Sequence, residues 1–325
     1  MRSFLVAVLI TCLLSPALFG GIPHAPRKQR IISDYAIAIE ILMALGQRHT
    51  LLGGHSGIAH KEFFSKVVPE FLALPVVGSR GVFNLESVMA LKPDLIISRE
   101  RGGQEQAKQL REMGIDVLSI DAETPEAMNE AIRQIADLTG AGDRAARLLE
   151  YMSVRRRTVE ETLAGVPAEL RPRVYVTGAL GFLSIPSARM HQYSLVERAG
   201  GRPCGEDTVG GWNQVSAEQL LAWNPDYILI SRDTRNIDLA DVLADERWKD
   251  LRAVKNARVA LFPSNLQAWD RPGPQGILGL LWLARTMHPE LFPELDVKAE
   301  AEYFYRNFYD VGFAASGGEL AGPVP

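Results

Sequence analysis

The chain has 325 residues, 47% of them hydrophobic and 23% charged, with 35 Lys and Arg against 39 Asp and Glu for a net charge of −4. That balance is globular, leaves room for two ordinary domains, and excludes a disordered chain and the basic face that nucleic-acid binding requires. Its two cysteines, Cys12 and Cys204, exclude a disulfide scaffold and a cysteine metal cage.

Residues 1–25 read as a signal peptide and leader. Arg2 is followed by an apolar run over 4–14, then by the small residues Ser15-Pro16-Ala17. The run is short for a membrane-spanning helix, which needs about 20 apolar residues. Cleavage after Ala17 and cleavage near Ala25 both fit. Leu9-Ile10-Thr11-Cys12 is a poor lipidation signal, because the residue before the cysteine is not small.

Residues 26–123 read as an α/β lobe. Arg30-Ile31-Ile32-Ser33 is a strand, and Ile37, Ile41, Leu42 and Leu45 then recur at helical spacing until Gly46. Strands are predicted at 51–54, 76–78, 94–98 and 116–120, with helices at 85–91 and 104–113. Alternating strands and helices call for a mainly parallel sheet.

Residues 124–170 show no strand pattern. Thr124-Pro125-Glu126 is a strong helix start, with a capping threonine, proline at the first helical position and an acid. Helical spacing runs through Ile132, Ile135 and Leu138, is interrupted at 140–143, and resumes through Leu148, Met152, Val159 and Leu163. This is a stiff connector, since a flexible one would be rich in glycine and serine.

Residues 171–313 read as a second α/β lobe. Strands are expected at 174–178, 226–231 and 259–262, and helices at 193–199, 216–222 and 276–287. Residues 314–325, rich in Gly, Ala and Pro, are expected to be a flexible tail.

The two lobes carry an internal repeat. Residues 86–97 align with 218–229 at a constant offset of 132, bringing Glu86 onto Glu218 and Pro93-Asp94 onto Pro225-Asp226. Each copy reads as a short helix, a Pro-Asp turn and a buried strand. Two like lobes joined by a helix define a cleft, where ligands are commonly held.

With these segments in order, the chain resembles the helical-backbone (class III) periplasmic solute-binding proteins of ABC importers for iron-siderophores, haem and cobalamin. The resemblance rests on Glu40-Ile41-Leu42-Met43-Ala44-Leu45-Gly46, on Asn84-Leu85-Glu86 with residues 90–97, on Ala199-Gly200-Gly201 with Trp212 and residues 215–221, and on Trp248, Leu251 and residues 253–259. It implies two Rossmann-like lobes with mainly parallel sheets joined by a long connecting α-helix. It also implies an exported monomer that captures an iron-siderophore or similar metal chelate, or haem or cobalamin, and docks on membrane permease subunits through one acid per lobe. By motif position those acids are Glu86 and Glu218. A glutamate in a helix's first turn is also favoured by the helix dipole alone, so capping chemistry is the competing explanation.

Ligand contacts are expected on loops after strands. The candidates are Tyr35, His55, His60, Arg80, Arg99 and Arg101 in the first lobe. In the second they are Phe182, His191, Tyr193, Trp212, Arg232, Trp269 and Arg271. Arginines fork anionic oxygens and aromatics cover apolar surface. Each has a plainer reading: Arg99 and Arg101 as solvated charges, Trp212 and Trp269 as core, Arg271 as the partner of Asp270. His55 with His60 would be a metal pair, and His191 a haem ligand, only if other ligands converged on them, so no metal site and no cofactor of the protein's own is expected.

Enzyme chemistry is not expected. Gly54-His55-Ser56-Gly57 lacks the spacing of a nucleophile elbow, and no phosphate-cradling loop or zinc-helix motif is present. A bare Zn or Mn receptor would need converging acids and imidazoles, and the 6 histidines are scattered.

Overall fold

The computed structural model describes residues 27–58, 62–79, 82–100, 104–232, 234 and 237–320. The fold is α/β with mainly parallel sheets. In the first lobe, strand β1 (Ile31–Ser33) leads into helix α1 (Ala36–Ala44), and β2 (Leu51–His55) into α2 (Glu62–Val67). Then come β3 (Val76–Ser79), β4 (Val82–Phe83), α3 (Leu85–Leu91), β5 (Leu95–Arg99), α4 (Gln104–Glu112) and β6 (Asp116–Ile120). The sheet order is β4-β3-β2-β1-β5-β6, parallel except for the β3–β4 hairpin.

The connector is two helices, α5 (Pro125–Thr139) and α6 (Gly142–Leu163). Thr124 caps α5 by accepting the Ala127 N–H at 3.1 Å. Gly140 ends it at φ 73, a left-handed turn that a side chain would oppose. The helical passage is interrupted at Gly140, as its glycines predict, and α6 then runs on as one long helix of 22 residues.

The second lobe contains β7 (Arg173–Val176), β8 (Ser184–Pro186), α7 (His191–Arg198), β9 (Arg202–Pro203), β10 (Trp212–Gln214), α8 (Ala217–Trp223) and β11 (Tyr227–Ile230). It continues through α9 (Leu239–Ala244), α10 (Arg252–Lys255), β12 (Val259–Leu261), α11 (Gly276–Met287) and α12 (Val297–Phe304). Its parallel sheet runs β12-β11-β7-β9, with the β8–β10 ribbon beside it.

The central strands β1, β5, β7 and β11 are buried on both faces, as helix-covered parallel strands must be. Leu95 and Ile97 face one core while Ile96 faces another, and Tyr227 and Leu229 alternate with Ile228 and Ile230 in the same way. The largest core is shared by both lobes. It runs from Ile39 and Leu42 of α1 through Ile135 and Leu148 of the connector to Leu281 and Phe304. Continuous packing of this kind resists large relative movement of the lobes.

The repeat survives in three-dimensional detail. Asn84 and Ser216 cap α3 and α8, accepting the Ser87 and Gln219 N–H groups at 3.0 and 3.2 Å. Val88 and Leu220 are the buried anchors, each 0% exposed. Lys92 and Asn224 end the helices in left-handed conformations, φ 47 and 41. Asp94 then accepts the Arg30 N–H at 3.1 Å, and Asp226 the Arg173 N–H at 2.8 Å, so each turn is pinned to the start of the neighbouring strand.

The C-terminal segment departs from expectation. Following α12, a π-helical turn (Tyr305–Tyr309) returns to the first lobe, where Phe63 meets Tyr309 edge-on at 5.3 Å. Residues 314–320 are tied down rather than frayed: Asn265 donates to the Gly317 carbonyl and accepts the Glu319 N–H, both at 2.8 Å. Among the described residues, no helix is long and apolar enough to cross a membrane.

Candidate functional site

A cleft of about 730 Å³ opens at the C-terminal ends of the first sheet's strands and is closed on its far side by the second lobe. Open α/β sheets present their binding crevices at that end, because loops there vary without disturbing the strands.

From the first lobe, Asp34, Tyr35 and the first turn of α1 enter after β1, His55 at the end of β2 and Arg99 at the end of β5. Neither α1 nor α7 is closed by a side-chain cap, and both starts line the cleft, α7 through Met190 and Gln192. The leading N–H groups of a helix have no partner within it, and the dipole adds positive potential there. The Tyr35 hydroxyl is buried without a hydrogen-bond partner, and that burial raises its pKa. Arg99 lies 6.0 Å above the Tyr35 ring and pairs with Glu123 at 3.1 Å. His55 accepts the Gly57 N–H on Nδ1 at 2.9 Å, which places its own ring proton on Nε2.

From the second lobe come Trp212 on β10, and Gln267, Arg271 and Pro272 from the loop after β12. Beneath them lies a group that the motif reading missed. Glu40 of α1 is 1% exposed and accepts hydrogen bonds from Gln267 and, at 3.0 Å, from Gln275. Gln275 in turn accepts from the Tyr309 hydroxyl at 2.9 Å. Burial weakens the hold of Arg271 on its proton, and the Glu40 carboxylate opposes that effect. The signal was in the sequence: Glu40 stands between Ile39 and Ile41 on a helix apolar on every side, where an acid requires partners.

The cleft thus gathers Tyr35, Arg99, Trp212 and Arg271 from the predicted contacts, with His55 beside them. The others lie elsewhere. Phe182 packs between Tyr175 and Trp248, at 5.9 and 5.4 Å, because the β8 ribbon folds it onto the outer core. Trp269 is 0% exposed and packs against Phe313, with ring centroids 5.8 Å apart. Tyr193 is 6% exposed, and burial reinforced by Glu197 pushes its hydroxyl to about 12. Arg232 donates to the Phe262 carbonyl at 3.0 Å and sits by Asp270, which is buried against Ser231 with its carboxyl raised to about 6.

His191 turns away from the cleft into a separate small pocket of about 40 Å³ behind α7, walled by Met128, Met152 and Leu280. Burial lowers its pKa to about 4, so the ring is neutral, and it bonds the Glu123 backbone carbonyl. Arg80, His60 and Arg101 lie outside the described residues. Among the described residues, no group of three His, Cys, Asp or Glu side chains could hold a metal ion.

The acids expected to dock stand at matching positions of the two repeat copies. Glu86 and Glu218 are both exposed in the first turns of α3 and α8. Their own helices' C-terminal turns are pinned at the starts of β1 and β7, so both helices begin toward the opposite, cleft-side ends of their sheets. The Glu218 backbone N–H and Ser216 hold its carboxyl below the usual range.

The sequence profile of the Periplasmic binding protein family matches residues 31–266. The chain belongs to the periplasmic binding protein family. Within it, the architecture is that of the helical-backbone (class III) members, which bind solutes and are not enzymes. The chain is similar to the molybdate-binding protein MolA of Haemophilus influenzae, 26% identical over 271 residues that cover 77% of this chain and 76% of MolA. It is also similar to the vitamin B12-binding protein of Salmonella typhi, 26% identical over 69% of this chain and 80% of that protein. The solved structure of MolA bound to molybdate shares the fold, with a TM-score of 0.79 and 24% identity over 88% of this chain and 94% of that one.

Proposed function

We propose that this periplasmic binding protein captures a metal-centred anion between its lobes and delivers it to the permease of an ABC importer outside the cytoplasmic membrane. The observation that carries the reading is that two helix starts without side-chain caps, α1 and α7, contribute to the lining of one cleft that also holds Tyr35, Arg99 and Arg271. Helix-start N–H groups and arginines lining one cleft favour anionic oxygen. The volume of about 730 Å³ suits a chelate of siderophore size, with the Tyr35 and Trp212 rings against its apolar parts. Haem is the weaker fit, because His191 faces the chamber behind α7 and is not placed to be an axial ligand in the cleft.

A compact oxyanion of the molybdate type is the second reading. It is favoured by the same helix starts and by the likeness to MolA. Lobes spanning 26–123 and 171–313, held by the 124–170 connector, would close modestly, given their shared core. Glu86 and Glu218 would meet basic residues of the permease and set register.

Native mass spectrometry with an absorbance spectrum of protein purified from its own host identifies any retained ligand. Titrations with molybdate, a ferric catecholate, haemin and cyanocobalamin, followed by tryptophan fluorescence, then rank affinities. Tight binding of an anionic metal species is expected. Selective binding of a neutral or cationic ligand would overturn the assignment.

A further inference from the structure

α3 and α8 match at every position that the fold explains: cap, buried anchor, left-handed end and pinned turn. They also match at a position that the fold does not explain. Met89 and Leu221, at the same offset of 132 as Glu86 and Glu218, are 42% and 43% exposed. Each stands three residues after its glutamate, so acid and apolar side chain are neighbours on one helical face. Neither joins a hydrophobic core. Val76 and Val82, also exposed and close to the first copy, have Thr208 and Gln214 as counterparts, so exposure of large apolar groups is not a general feature of the repeat.

We infer that Met89 and Leu221 are paired apolar contact points of one docking face, and that its occupant is the importer's permease, presenting an apolar hollow beside a basic residue once to each lobe. The inference rests on the docking reading above and extends it. Both helices begin on the cleft side of their sheets, which places Glu86 and Glu218 there, with Met89 and Leu221 one turn further along the same helical faces. Acid alone supplies steering and register, but exposed ion pairs contribute little affinity. Burying an apolar side chain beside each pair excludes water from it and slows release.

The test is binding of the full chain, as isolated, to the detergent-solubilised permease–ATPase complex by biolayer interferometry, with stimulated ATP hydrolysis as a second readout. Met89→Ser and Leu221→Ser should each weaken binding about five- to tenfold, and the double variant by roughly the product. Met89→Leu should bind as the parent does. Leu170→Ser, altering a residue 73% exposed and outside the repeat, should change nothing. Melting temperatures should stay constant throughout, since none of these side chains is in a core. A double serine variant that binds like the parent, while charge reversal at Glu86 and Glu218 abolishes binding, overturns this inference and leaves acid docking intact. Unchanged binding in both sets overturns the docking reading as well.

Discussion

Glu40 and Gln267 join the two lobes through a buried hydrogen bond at the floor of the cleft. One belongs to the helix after the first strand, the other to the loop after the last. Gln275 and Tyr309 extend the contact into a chain of buried polar groups, so the floor is set before any ligand arrives.

That chain leaves no room for a side chain at Gly273. A Cβ there would lie 2.6 Å from Gln275 Nε2 and 2.9 Å from Glu40 Oε2. Gly273→Ala should cost roughly 1–3 kcal/mol of stability by displacing both groups. Glu40→Ala should cost about 3–5 kcal/mol, because its partners become buried without it. Urea titrations measure both. A Glu40→Ala protein as stable as the parent would show that the network is incidental.

Binding should depend on the cleft arginine and tyrosine separately. Arg271→Met is expected to weaken anion binding by about tenfold or more, and Tyr35→Phe by about three- to tenfold, each with an unchanged circular dichroism spectrum. Phe182→Leu, remote from the cleft, should leave affinity alone. Calorimetry with the ligand found by mass spectrometry gives all three constants. Equal losses at Phe182 and Arg271 would mean that the cleft is not the binding site.

His191 and Asp270 carry opposite dependences on pH. Burial moves His191 from 6.5 down to about 4, and Asp270 from 3.8 up to about 6. The folded histidine binds fewer protons than the unfolded one, so its contribution to stability is lost as pH falls from ~6.5 to ~4, by up to roughly 3 kcal/mol. The folded aspartate binds more protons than the unfolded one, so stability falls as pH rises from ~4 to ~6. His191→Gln should therefore leave a melting temperature that declines with rising pH across that window. Asp270→Asn should make it climb more steeply than in the parent. Thermal melts at half-unit steps from pH 4 to 7 decide the matter, and profiles parallel to the parent's would show that folding shifts the pKa of neither group.

Charge reversal of Glu86 and Glu218 together should abolish transport by the reconstituted importer while leaving ligand affinity unchanged. A drop in affinity instead would place these residues in the ligand site.

Local chemistry made much of the architecture readable. Thr124-Pro125 announced α5, Gly140 its end, and the Pro-Asp turns the two repeat units, because caps, prolines and left-handed glycines act within a few residues of themselves. The same holds for β5 and β11, short apolar runs that each follow a Pro-Asp turn. The return of the C-terminal segment was not readable, since contacts such as Phe63 with Tyr309 join residues far apart in sequence.

The candidate site divides along the same line. By itself the sequence determined which loops follow strands, and so which residues could reach a cleft; Tyr35, Arg99, Trp212 and Arg271 line it. Only the tertiary structure decided that His191 faces a separate pocket behind α7, that Phe182 and Trp269 pack against other aromatic side chains, and that Glu40 lies at the floor. The reason is physical. Strand and helix signals depend on spacing along the chain, whereas the direction of one side chain depends on which distant surfaces pack against it and which buried polar atoms must be satisfied.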